Sequence, residues 1–163
     1  MRQPVLKTKD QFCMMGISVR TTNANEITVD AKIGGLWGRY YGQKISDGVP
    51  NPVNAPVTYG LYSDYEDGVH GEYDITAGLE VKDASECPEG VVVKSIPAAT
   101  YLVFTSEEGP LTDVVITLWQ EIWRWFEQHQ EVERTYTGDF ELYDARCENP
   151  QHAQVDIYIA IQA

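Results

Sequence analysis

Apolar and polar side chains alternate in five stretches of the chain, a pattern that predicts strands with one buried face. A sixth stretch contains Pro97, and it is either one long strand interrupted there or two short strands. Loops rich in Gly, Pro, Asp and Asn separate these segments. The predicted strands cover residues 11–20, 58–65, 73–81, 91–108, 137–145 and 153–162.

Two other segments repeat their apolar positions with the period of a helix. The first runs from about 25 to 43, with Asn23 or Asn25 as candidate caps. Its three glycines each lower helix propensity by about 1 kcal/mol relative to alanine, so it either packs closely against a neighbour or is locally soft. The second covers 109–130 and has Pro110 suited to its first turn.

The apolar arc of the second helix spans about 200°, twice the width that covering a core requires. Deep packing and a dimer contact both explain such an arc, and a flank of tryptophans lining a cleft explains it as well. In the first helix, Trp37, Tyr40 and Tyr41 share one face with Asp30. The helix dipole accounts for Asp30 near the N-terminus, which leaves it a weak candidate for a second anionic site.

The order strand, helix, strand, strand occurs twice, displaced by about 82 residues. "GLW" at 35–37 matches "TLW" at 117–119, and "GLYSD" at 60–64 matches "ELYDA" at 141–145. We therefore predict an α+β fold in which duplicated β-α-β-β units are related by a pseudo-two-fold axis. One antiparallel sheet, two main helices and a central cleft would result. The whole chain, 1–163, is predicted to be a single domain with repeats at about 5–83 and 90–163.

The two repeats differ at one position of interest, where the first has Gly60 and the second has Glu141. Strand alternation places Phe140 and Leu142 on one face and Glu141 and Tyr143 on the other. Alternation alone would send the glutamate to water. Because the first repeat has no side chain there, the charge is not part of the repeated architecture, and a solvent-facing position and a position in the cleft both remain open.

The composition is strongly acidic, with a formal net charge of −13 and a pI near 4.5. Nucleic-acid binding is disfavoured, because it requires Lys and Arg to neutralise phosphates. A negative field concentrates cationic ligands, although a need for solubility alone also explains the acidic composition. Three widely spaced cysteines fit a reduced compartment. With no predicted leader or membrane span, we expect a cytoplasmic protein.

Motifs for the common chemistries are missing from the sequence. It contains no Walker loop, no dinucleotide fingerprint and no Gly-x-Ser-x-Gly elbow. His70, His129 and His152 are isolated, and none stands at metal-ligand spacing from a cysteine or another histidine. We predict no metal, no cofactor and no catalytic residue.

Several segments in order resemble the GyrI-like small-molecule-binding family, the effector-binding domain of AraC- and MerR-type multidrug regulators. They are "EEGPLTDV" before the Trp-rich helix, "GDFELYD" and the terminal "VDIYIAI". The resemblance covers about 5–163. It implies a cleft for lipophilic, often cationic, aromatic compounds, with Glu141 as the counter-charge. The expected aromatic walls are Trp37, Trp119 or Trp123 from the helices, and Tyr62, Tyr101 and Tyr143 from the strands.

The chain departs from the family's regulators in having neither the length nor the basic charge for a DNA-binding domain. It is most similar to the stand-alone bacterial members, which include proteins found on mobile gene cassettes. The terminal strand, "IYIAIQA", also lacks the proline that often ends it.

Three functions follow from these features. The first is a non-enzymatic module that binds lipophilic cationic or aromatic small molecules for sequestration or sensing. The second is a hydrolase of strained electrophiles, in which Glu141 and Tyr143 or Tyr101 activate water. The third is a protein-interaction module such as a gyrase modulator, suggested by the acidic surface. Neither the ligand's identity nor the oligomeric state, a homodimer included, follows from the sequence.

Overall fold

A computed structural model of the chain describes residues 3–29 and 31–163, so Asp30 and its candidate role lie outside the described residues. In these residues the chain forms eight strands and three α-helices. None of the helices described is long and apolar enough to cross a membrane. The strands are β1 Val5–Lys9, β2 Phe12–Thr21, β3 Thr58–Ser63, β4 Tyr73–Val81, β5 Val92–Ile96, β6 Ala99–Thr105, β7 Asp139–Tyr143 and β8 Asp156–Ile161; the helices are α1 Asn23–Glu26, α2 Ile33–Gly42 and α3 Leu111–Gln128.

The prediction of a single helix over 25–43 is wrong. The segment forms α1 and α2 with an irregular stretch between them. The Glu26 carboxylate accepts hydrogen bonds from the backbone N–H groups of Lys32, at 2.9 Å, and Ile33, at 3.0 Å. It thereby satisfies donors at the start of α2 that a continuous helix would pair with carbonyls. The α1 cap is Thr22, whose side chain accepts from the Asn25 N–H, rather than either asparagine.

The other predicted elements form close to their predicted bounds, and the stretch 91–108 proves to be the two strands β5 and β6. Strand β1 was not predicted. All strand pairs are antiparallel and form one sheet in the order β1-β6-β8-β7-β3-β4-β2-β5. This order is symmetric about the β7–β3 pair, since β7, β8 and β6 repeat the arrangement of β3, β4 and β2. The predicted duplication and pseudo-two-fold symmetry are confirmed.

Two short connections show that the sheet is strongly curved. Strands β1 and β2 are six positions apart in the sheet, yet the chain connects them directly from Lys9 to Phe12. In a flat sheet these positions span about 29 Å, at about 4.8 Å per strand, whereas three Cα–Cα steps reach about 11 Å at most. The link from Ile96 to Ala99 makes the equivalent crossing. The two edges of the sheet are therefore drawn together.

The inner face of this curved sheet holds a core that combines residues from both halves. Phe12 of β2 and Phe140 of β7, three positions apart in the sheet, have ring centroids 5.6 Å apart. The outer face carries α2 over the first half and α3 over the second, each on its own apolar cluster. The space between the helices therefore lies above the central strands β3 and β7.

Candidate functional site

A cavity of about 670 Å³ opens between α2 and α3, on the outer face of the sheet; we call it the cleft. Its floor is formed by β3 and β7, and its walls by the two helices. Most of its lining is apolar or aromatic, which is typical of a small-molecule site. The predicted site residues that line it are Trp37, Tyr62, Trp119, Trp123, Glu141 and Tyr143.

Tyr101 is the predicted site residue that the structure places elsewhere. It is fully buried in the inner core, where its ring packs edge-on against Phe140 and Tyr158. Alternation along β6 explains this position, because Leu102 and Phe104 face α3 and Tyr101 must therefore face inward. Tyr101 is not part of the cleft.

Glu141 lies at the floor of the cleft and is 2 % exposed. Its carboxylate accepts three hydrogen bonds. Tyr143 donates to Oε1 at 2.7 Å, while Tyr62 and the indole N–H of Trp119 donate to Oε2 at 2.9 and 2.7 Å. The side chain therefore points to the cleft and not to bulk solvent, and three neutral donors fix its orientation.

Within the described residues, Glu141 forms no ion pair with any Lys, Arg or His. Burial raises the pKa of Glu141 above the ordinary 4.5, although the hydrogen bonds from Tyr143, Trp119 and Tyr62 oppose this. Since the folded pKa exceeds the unfolded one, this group lowers the free energy of unfolding as the pH rises. This loss develops as the pH rises from about 4.5 through the folded pKa.

The aromatic walls follow the two-fold relation of the repeats, with Trp37 equivalent to Trp119 and Tyr62 to Tyr143. Trp119 packs edge-on against Tyr62, with centroids 5.1 Å apart. Trp37 packs edge-on against Tyr143, with centroids 5.4 Å apart. Each helix thus contacts the tyrosine of the other half. Glu141 breaks the symmetry, because both tyrosines donate to its carboxylate.

A second buried carboxylate, Asp139, lies two residues before Glu141 on the same face of β7 and is fully buried. It accepts hydrogen bonds from Arg134 at 2.8 Å, Tyr65 at 2.5 Å and the Ala160 N–H at 2.8 Å. Arg134 and Tyr65 also line the cleft. Asp139 therefore neutralises a guanidinium at the cleft wall, whereas the Glu141 carboxylate on the floor has no cationic partner among the described residues.

The sequence did not predict this network. Alternation along the strand places Asp139 on the same face as Glu141, but it does not identify Arg134 as the partner of Asp139.

The mouth of the cleft exposes several large apolar side chains. Ile27 is 88 % exposed, Tyr41 62 %, Ile116 54 % and Trp123 42 %. Each of them also lines the cleft. Such a rim offers apolar surface to the part of a ligand that projects from the cavity. In the described part of the chain, no group of three or more His, Cys, Asp or Glu side chains is arranged to hold a metal ion.

The family model named Cass2, for integron-associated effector-binding proteins, matches residues 5–161. YobU of Bacillus subtilis strain 168, named as a candidate transcriptional regulator, is 38 % identical over 147 residues, which cover 90 % of each protein. The transcriptional regulator BrlR of Pseudomonas aeruginosa is 31 % identical over 131 residues, 79 % of this chain and 46 % of BrlR.

Solved structures share the fold across nearly the whole chain. The integron cassette protein VCH_CASS2, from the mobile metagenome of Vibrio cholerae, superposes with a TM-score of 0.75 at 29 % identity, covering 99 % of this chain and 97 % of its own. SAV2435, solved bound to tetraphenylphosphonium, gives a TM-score of 0.76 at 17 % identity, covering 99 % and 95 %.

Proposed function

The chain belongs to the Cass2 family of integron-associated effector-binding proteins, and on that basis we propose that its cleft binds lipophilic cations, with Glu141 as the counter-charge. One observation carries the proposal. A buried carboxylate lies in an aromatic cavity, held by three neutral donors and unpaired with any described cationic side chain.

Burying the Glu141 carboxylate without a cationic partner is costly. An ionised carboxylate removed from water is unfavourable unless it is paired. The three hydrogen bonds hold it in place but do not neutralise it. A ligand cation at the cleft floor would supply the missing charge, while a neutral ligand of the same shape would displace water and leave the carboxylate unpaired. Selection for cations follows from this difference.

The aromatic walls support the same class of ligand. Trp37, Trp119 and Trp123 line the cavity with extended π surfaces. Cation–π contact contributes about 0.5 to 2 kcal/mol, depending on desolvation. Their apolar surface also suits aryl or alkyl groups around the charge. SAV2435, which shares this fold, was solved with tetraphenylphosphonium, a cation of this kind.

Asp139 supports the proposal from the wall of the cleft. An uncompensated Arg134 there would repel a cation, but its ion pair with Asp139 places both charges in one neutral unit. Glu26 also lines the cavity and adds negative charge, although its carboxylate is already bonded to the start of α2. The charge presented to a ligand is therefore negative.

Isothermal titration with methyltriphenylphosphonium and neutral triphenylphosphine oxide tests this function, because the two compounds share three phenyl groups and differ in charge. We expect the cation to bind at least about tenfold more tightly, since a charge-assisted contact in a desolvated site is worth about 1.5 kcal/mol or more. Equal affinities would show that the cleft recognises shape alone. Consumption of a reactive electrophile by the same protein would instead support the hydrolase hypothesis.

A further inference from the structure

Gly60 lies directly opposite Glu141 in the β3–β7 pair, the pair on which the sheet's symmetry is centred. The two residues are also equivalents in the two repeats. The pseudo-two-fold axis therefore passes between Gly60 and Glu141, which are equivalent positions in the two repeats. Opposed residues of an antiparallel pair share a face, with Cβ atoms about 5 Å apart. Two glutamates here would place like charges side by side in a buried site.

The space above Gly60 is occupied by the carboxylate itself. A Cβ atom built at position 60 would lie 2.8 Å from Glu141 Oε1 and 3.1 Å from Trp37 Cζ2. The first distance is shorter than van der Waals contact allows, so even alanine would force the carboxylate to move. Gly60 has no positive backbone φ, which means that its backbone conformation does not require glycine.

The Glu141 carboxylate occupies the space that Gly60 leaves free. In that place it accepts hydrogen bonds from both Tyr62 and Tyr143. Tyr143 donates to Oε1, the atom that a Cβ at position 60 would contact, and Tyr62 donates to Oε2. Displacing Oε1 would therefore break or strain the Tyr143 contact and rotate the charge away from the centre of the floor. The geometry of the counter-charge depends on a missing side chain in the other repeat.

We propose that Gly60 is a positioning residue that determines cation selectivity, because its lack of a side chain holds the Glu141 carboxylate at the centre of the cleft. The proposal rests on the counter-charge role proposed for Glu141. It adds that one repeat provides the charge and the other provides the room for it.

Titrating Gly60→Ala with methyltriphenylphosphonium and triphenylphosphine oxide tests this role. We expect the cation's affinity to fall about tenfold and that of the neutral compound to change by less than about twofold. Gly35→Ala is the matched control, because a Cβ at Gly35 meets nothing within 4 Å; both affinities should stay at wild-type values. Equal losses for both compounds in Gly60→Ala would overturn the proposal, since a merely narrowed cleft predicts them.

A double-mutant cycle of positions 60 and 141, measured by melting temperature, tests the proposal even if Gly60→Ala folds poorly. We expect Gly60→Ala to lower the melting temperature in the wild-type background and to lower it much less in the Glu141→Ala background. An equal penalty in both backgrounds, or failure of both proteins to fold, would show that position 60 is restricted by something other than the carboxylate. If the wild-type protein does not prefer the cation, the counter-charge function fails independently of this cycle.

Discussion

Glu141→Gln is expected to weaken the binding of methyltriphenylphosphonium by about 30- to 150-fold, a loss of about 2 to 3 kcal/mol. Glutamine has nearly the shape of glutamate but carries no charge. Its carbonyl oxygen can accept from Tyr62 and Trp119, and its amide can donate to the Tyr143 hydroxyl, which rotates to accept. The variant therefore removes the proposed counter-charge and preserves the network. Isothermal titration measures the loss.

Two controls distinguish the loss of the Glu141 charge from a change in net charge and from a loss of stability. Glu127→Gln removes the same formal charge from an exposed position on α3, and it should leave the affinity within about twofold of wild type because exposed charges are screened. The melting temperature of Glu141→Gln should equal or exceed that of wild type, because a desolvated charge is lost. If Glu141→Gln bound the cation as tightly as wild type, Glu141 would not be the counter-charge.

Asp139→Asn is expected to produce the largest loss of stability, about 3 to 5 kcal/mol in the free energy of unfolding. The variant leaves Arg134, whose side chain is 8 % exposed, without its carboxylate. For a chain of this length, such a loss lowers the melting temperature by about 10 °C. Chemical denaturation and thermal melting both measure it.

The control for Asp139 is an exposed ion pair in the same protein. Glu72, half exposed, lies 3.7 Å from Arg20. Glu72→Ala should cost less than about 1 kcal/mol, as surface pairs generally do. Adding Arg134→Met to Asp139→Asn should recover part of the stability, because both buried charges are then absent. A loss for Asp139→Asn no larger than that for Glu72→Ala would show that the buried pair contributes little.

The fold could be predicted from the sequence to the extent that it depends on local periodicity and on repetition. Alternation located β2, β3, β4, β7 and β8, and the repeat of "GLW" in "TLW" indicated two equivalent helices. Strand β1 escaped prediction because it is a largely exposed edge strand, which pairs with β6 in the other half. A strand without a buried face has no clear alternation to detect.

The candidate site could be predicted where symmetry and the family resemblance supplied information beyond alternation. The mismatch between Gly60 and Glu141, together with that resemblance, pointed to the carboxylate, and six of the seven proposed residues line the cleft. Tyr101 was misplaced because alternation divides a strand between two faces without saying which of them the helices cover. The pairing of Asp139 with Arg134 depends on how the loop before β7 folds back, and side-chain pattern does not encode that path.

The pH dependence of cation affinity tests the central claim most directly, because Glu141 must be ionised to act as a counter-charge. Burial raises the pKa of Glu141, so wild-type affinity for methyltriphenylphosphonium should be highest above that raised pKa. It should then fall toward acid, approaching about tenfold per pH unit below that pKa. Glu141→Gln retains Glu26 and Arg134 at the cleft, and its weaker affinity should show no such fall. Parallel pH profiles for the two proteins would contradict the account.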